Sequence, residues 1–128
     1  MSDPVLKLKV QLLCGDEIAM GPGKADLLDA IHTHGSISAA GRALGMSYRR
    51  SWLLVDAMNR CWTERLVETI AGGGKERGAR VTDAGQKILA AYREIQRSAL
   101  QSVHGDAYRE LGRKVREVPL APDAARSS

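Results

Sequence analysis

The stretch Ser36–Trp62, SISAAGRALGMSYRRSWLLVDAMNRCW, constrains the chain more than any other. It divides into a short helix, a tight turn at Leu44-Gly45-Met46 and a longer helix beginning after Ser47. Ser38 is placed to cap the first helix and Ser47 the second, each hydroxyl oxygen accepting from a backbone N–H that has no partner within the helix. Gly45 stands where the first helix must end in a left-handed residue. Gly41, with Ala39 and Ala40, leaves room for two helices to cross closely. Helices so arranged form a helix-turn-helix, whose second helix fits the major groove of DNA.

The longer helix has two unlike faces. At 100° per residue, Ser51, Leu54, Val55, Met58 and Trp62 share the face that should meet the core. Arg49, Leu53, Asp56 and Arg60 centre on the opposite face, with Arg50 and Trp52 on its flanks. Arginine therefore gathers at the N-terminal end of the outer face, the end from which recognition helices touch bases. Charge supports this. Between Arg42 and Arg80 there are eight basic residues (Arg42, Arg49, Arg50, Arg60, Arg65, Lys75, Arg77, Arg80) and four acidic ones (Asp56, Glu64, Glu68, Glu76), an excess of 8 − 4 = +4 that equals the net charge of the whole chain. A local basic excess is the footprint of phosphate binding.

The flanking segments supply partners. Val5–Leu13 alternates apolar residues with Lys7, Lys9 and Gln11, which predicts a strand; Ile18–Met20 returns after the turn Gly15-Asp16-Glu17. Lys24–His34 reads as a helix with Leu27, Leu28 and Ile31 on one side, ended by Gly35. Beyond the recognition helix, Leu66–Ala71 and Ala79–Val81 read as strands joined by the Gly-rich basic loop Gly72–Gly78. A hairpin there is a wing, and Lys75, Arg77 and Arg80 give it charge for the phosphate backbone. Thr82 or Asp83 then caps a long helix, roughly Ala84–Val103. Its apolar stripe of Ile88, Ala91, Tyr92, Ile95 and Ala99, widened by Leu89, Leu100 and Val103, exceeds what one such domain needs to cover and suits burial against a second subunit. Ala107–Val115 resumes as a short helix.

The reading is a mainly α protein with small β elements: a winged helix-turn-helix over residues 1–104, a short helical extension over 105–118 and a disordered tail over 119–128. With no Phe, its core must come from Leu, Ile, Val, Ala and Met. No apolar run is long enough for a membrane span. Lys7 and Lys9 interrupt any signal-peptide core, which suggests a cytoplasmic location. Cys14 and Cys61 fit no metal spacing and read as small buried hydrophobes. His32 and His34 diverge on a helix, so no metal or other cofactor is assigned. Gly21-Pro22-Gly23-Lys24 and Gly72-Gly73-Gly74-Lys75 echo a phosphate loop, but Ala25 and Glu76 stand where its hydroxyl belongs. No nucleophile–base pair is suggested, so an enzyme is not expected.

The run SISAAGRALGMSYRRSW, then Asp56-Ala57-Met58-Asn59, then the Gly-rich segment leading to Ala79–Gly85 (ARVTDAG), resembles the N-terminal DNA-binding domain of the molybdate-responsive ModE regulators, and more distantly the LysR-type winged helix. The likeness covers about Val5–Val103. It implies a homodimer on a palindromic operator in double-stranded DNA, with Ser47, Tyr48, Arg49 and Arg50 at the DNA-facing start of the recognition helix. Together with the face analysis, the candidate DNA-binding residues are Ser38, Ser47, Tyr48, Arg49, Arg50, Leu53, Lys75, Arg77 and Arg80. Family members that sense molybdate do so in β-rich C-terminal domains, and the chain stops near where those would begin, so molybdate binding is not carried over. The alternatives are a winged helix that binds protein instead of DNA, and an oxyanion or metal sensor with its site at a dimer interface.

Overall fold

Three helices form the centre of the molecule, and each starts and stops for a local reason. In the computed structural model, which describes residues 5–71 and 78–123, helix α1 spans Pro22–His34. Proline at the first helical position costs nothing, because that N–H has no helical partner. The helix ends where Gly35 N–H donates to Ile31 O at 2.8 Å. Ala25, Leu27, Leu28 and Ile31 on its inner face are fully buried. Burying a Leu or Ile side chain contributes about 1.5–3 kcal/mol, which makes α1 the main anchor of the core.

Helix α2 spans Ile37–Ala43. Its cap is Ser36, whose Oγ accepts from Ala39 N–H at 3.0 Å, and not Ser38 as expected. Ser38 lies half-buried within the first turn. The shift follows from packing: Ile37 is buried in the core, so the helix must begin earlier than capping by Ser38 allows. Gly45 has φ of 71° and closes α2 as the left-handed residue expected there, with Met46 N–H donating back to Gly41 O at 2.8 Å.

Helix α3 spans Tyr48–Cys61, and its cap is the expected one, with Ser47 Oγ accepting from Arg50 N–H at 3.1 Å. Ser51, Val55 and Met58 are its buried residues; Leu54 and Trp62 are half-buried against the same core. The crossing of α2 over α3 is close because residue 41 has no side chain: a Cβ there would lie 2.0 Å from Ser51 Oγ.

Two antiparallel hairpins flank this unit. Strands β1 (Leu12–Cys14) and β2 (Glu17–Met20) pair Leu13 with Ile18 and Cys14 with Glu17. The strand expected over Val5–Leu13 is thus confined to its last residues plus Cys14. The return strand has only four residues before α1 begins, which leaves positions 5–11 no backbone to pair with. That segment instead meets the long helix, where Tyr92 Oη donates to Val10 O at 2.7 Å. Strands β3 (Val67–Ile70) and β4 (Gly78–Val81) form the wing, with Val67 opposite Val81 and Glu68 opposite Arg80. The wing is tied to the α1–α2 junction by Ala79 N–H donating to Gly35 O at 2.8 Å.

Helix α4 spans Asp83–Gln101. Thr82 caps it by accepting from Gly85 N–H at 3.0 Å while its hydroxyl donates to Arg65 O at 2.6 Å. Arg93 joins α4 to α1 through Asp26 at 3.0 Å and Asp29 at 2.7 Å. The stripe on α4 is only partly covered: Leu89 and Tyr92 are buried, but Ile95 is 57% and Leu100 44% exposed. Helix α5, Asp106–Lys114, buries none of its residues. Among the described residues no helix is long and apolar enough to cross a membrane.

Candidate nucleic-acid interface

The start of α3 projects from this scaffold. Its N-terminal turn leaves backbone N–H groups pointing outward, and a helix N-terminus is favourable for anions. Tyr48 is 66% and Leu53 54% exposed, and Ser47, Arg49 and Arg50 are exposed beside them. The five residues therefore share one open end of α3. Ser38 is half-buried at the start of α2.

Arg49 and Arg50 have no acidic partner among the described residues, a lack they share with Arg65 and Arg116. Exposed arginines elsewhere on α3 and on the wing do have one. Arg60 is held by Glu17 at 2.8 Å and Asp56 at 2.8 Å, and Arg80 by Glu68 at 2.9 Å. Lys24, in the first turn of α1, is within electrostatic reach of Cys61, Glu17 and Arg50. Burial holds its ammonium below the ordinary value against the pull of Cys61 and Glu17, and the Arg50 guanidinium adds to the lowering.

The candidate wing residues divide. Arg80 is exposed, but its guanidinium is engaged by Glu68 across the β3–β4 pair. Lys75 and Arg77 lie outside the described residues, as does most of the Gly-rich loop.

Two residues whose contacts the sequence did not reveal, Asn59 and Trp52, fix α3 to the scaffold. Asn59 links α3 to β3: its Oδ1 accepts from Leu66 N–H at 2.9 Å and Val67 N–H at 3.1 Å, and its Nδ2 donates to Val67 O at 3.1 Å. The signal available was Asn59 inside the Met58-Asn59 match, with no local pattern to explain it. Trp52, placed on the outer flank by the helical wheel, is half-buried against the core. Its ring centroid lies 6.0 Å from that of Tyr48, and its buried Nε1–H has no acceptor among the described residues. Trp62, expected on the core face, donates from Nε1 to Ala19 O at 3.0 Å and fixes the leading hairpin to the end of α3.

Among the described residues no group of three His, Cys, Asp or Glu side chains is placed to hold a metal ion. Cys14 is exposed and Cys61 half-buried, which corrects the expectation that both are buried. A three-residue strand at the rim of the molecule cannot cover Cys14.

No family model matches the chain. The molybdenum transport protein ModE of Herbaspirillum seropedicae is 40% identical over 78 residues, 61% of this chain and 29% of its own length. The DNA-binding transcriptional dual regulator ModE of Escherichia coli K12 is 31% identical over 105 residues, 80% of this chain and 38% of its own. The full-length LysR-type regulator LysG of Corynebacterium glutamicum, solved with bound effector Arg, aligns with 79% of this chain and 31% of its own at 27% identity and a TM-score of 0.47. The chain thus spans well under half the length of these curated relatives. The chain is a winged helix, and over the matched residues it is similar in sequence to the N-terminal part of those ModE regulators.

Proposed function

We propose that this chain is the operator-binding unit of a ModE-like transcriptional regulator and works as a homodimer on a palindromic site in duplex DNA. The observation that supports this best is the open start of α3: Arg49 and Arg50 exposed, without acidic partners among the described residues, on a helix whose first turn is held by Ser47. In this reading the two guanidiniums donate to base edges in the major groove. Arginine to guanine is the commonest such contact, worth about 1–3 kcal/mol of discrimination. Tyr48 and Leu53 add apolar contact beside them. Ser38, Lys75, Arg77 and Arg80 serve the phosphates, which set register and not sequence; Arg80 must then exchange or share its bond with Glu68.

The dimer reading rests on α4. Ile95 and Leu100 are exposed, and Leu8, Val10, Arg93, Gln96, Arg97 and Leu100 line a cleft of about 270 Å³ between α4 and the N-terminal segment. A second copy covering this face would place two α3 helices on half-sites about one helical turn apart.

Gel-shift of the purified chain against genomic fragments at two salt concentrations tests the reading. Specific binding is expected to be lost with Arg49→Ala/Arg50→Ala. If this variant binds as the parent does, α3 does not read the groove and a protein-binding use of the fold is favoured. Lys75→Ala/Arg77→Ala should reduce the salt slope by about 2, one for each phosphate no longer neutralised; an unchanged slope places those side chains away from phosphate.

A further inference from the structure

The two cysteines are 47 positions apart (61 − 14) in the sequence, yet the fold brings them to one corner. Cys14 ends β1 directly opposite Glu17 of β2. Cys61 ends α3, and its thiol lies 3.6 Å from Glu17 Oε2. Directly opposed residues of a strand pair share a face, so the Cys14 side chain stands beside that of Glu17, against which the Cys61 thiol also lies. The corner is held from both sides: Arg60, next to Cys61, donates to both Glu17 carboxylate oxygens at 2.8 and 2.9 Å, and Trp62 Nε1 donates to Ala19 O of β2. Cys14 is exposed and Cys61 half-buried.

We propose that Cys14 and Cys61 form an oxidisable pair that peroxide converts to an intrachain disulfide, stapling the leading hairpin to the C-terminal end of the recognition helix. Cys14 reacts first because it is open to solvent. Its thiolate attacks one peroxide oxygen, the O–O bond breaks, and water or an alcohol leaves; the sulfur is oxidised to a sulfenic acid. Cys61 then attacks that sulfur. The S–S bond forms, the S–O bond breaks, and hydroxide leaves with the Cys61 proton as water. In total two thiols lose two electrons and two protons, and one peroxide is reduced. The order of attack is consistent with the setting of Cys61, whose thiol is pushed up by burial first and then by its contacts with Cys14 and Glu17, since the thiolate is the nucleophile.

The consequence is topological. A bond from residue 14 to residue 61 encloses β2, α1, α2 and α3 in one covalent loop, the whole helix-turn-helix with its scaffold. Closing a loop of this size restricts the unfolded chain and should raise Tm by roughly 10 °C. The charged start of α3 lies at the opposite end of the helix and is left open.

The test uses the purified chain treated with dilute hydrogen peroxide. Non-reducing peptide mapping is expected to show a Cys14–Cys61 crosslink with loss of two hydrogens, reversed by dithiothreitol. Oxidised methionine gains an oxygen instead and is distinguished by mass. Tm should rise in the parent and stay flat in Cys14→Ser/Cys61→Ser. In Cys61→Ser alone, dimedone should capture a sulfenic acid on Cys14. Crosslinks found only between chains, or a parent that gains oxygen at cysteine without forming the 14–61 bond, would overturn the proposal.

Discussion

The two ends of α3 are treated differently by the rest of the molecule. At the C-terminal end the polar side chains are engaged. Asn59 makes three hydrogen bonds to β3 and the residue before it, Arg60 bridges Glu17 and Asp56, and Trp62 bonds the leading hairpin. At the N-terminal end the Ser47 cap closes the first turn, and Tyr48, Arg49, Arg50 and Leu53 stand in solvent. A protruding helix needs fixing at one end if the other is to present side chains at a defined angle. Affinity and stability should therefore separate along one helix.

The largest expected effect breaks that separation if it fails. Arg49→Ala/Arg50→Ala should reduce specific affinity by about a hundredfold or more, since each bidentate base contact is worth about 1–3 kcal/mol. The same change should move stability by no more than about 0.5 kcal/mol, as exposed substitutions do. Equal losses in binding isotherms and in urea midpoints would mean that the two ends are not functionally distinct.

Asn59→Ala is the converse. It leaves two backbone N–H groups and a carbonyl between α3 and β3 without their partner, so a loss of about 2 kcal/mol is expected, read as a fall in Tm of roughly 10 °C. Affinity of the protein that remains folded should stay near that of the parent. A Tm within a degree or two would mean that water replaces the amide. Trp52→Phe should matter less, below about 1 kcal/mol, because the N–H it removes has no acceptor among the described residues. A loss above about 2 kcal/mol in the same melts would show that this N–H does find one.

The difference between the ends also marks what could be read in the sequence. Ser47, Gly45 and the Thr82 cap act within three or four residues of themselves, and cap chemistry is local. The buried face of α3 follows helical period, so Ser51, Val55 and Met58 were legible. The Ser36 cap was not, because two serines two positions apart satisfy the same rule and only the burial of Ile37 chooses between them. Asn59 was not, because its partners lie in a strand whose position depends on the tertiary fold. Arg80 looked available for phosphate until the register of the wing set Glu68 opposite it. The convergence of Cys14 and Cys61 on Glu17 joins residues far apart in sequence, which no period or motif encodes. The open end of α3 was readable because nothing folds onto it.

The smallest effect lies in the charge cluster that fixes the other end. Its hydrogen bonds with Arg60 hold the Glu17 carboxyl below the ordinary carboxylate value, and the same bonds raise Arg60. A carboxyl depressed in the folded state contributes stability above its unfolded value and loses it as the pH falls through the folded one. The contribution of this exposed cluster should therefore be complete at neutral pH and fade with acidification below the ordinary carboxylate range. Arg60→Gln should lower Tm slightly at neutral pH and not at all once Glu17 is protonated, so parent and variant melts converge in acid. Because both groups are solvent-exposed, the gap should also close in about 1 M salt, where screening reaches across the pair. A gap that persists in acid would show that Arg60 holds the hairpin through the packing of its aliphatic stem, and not through its charge on Glu17.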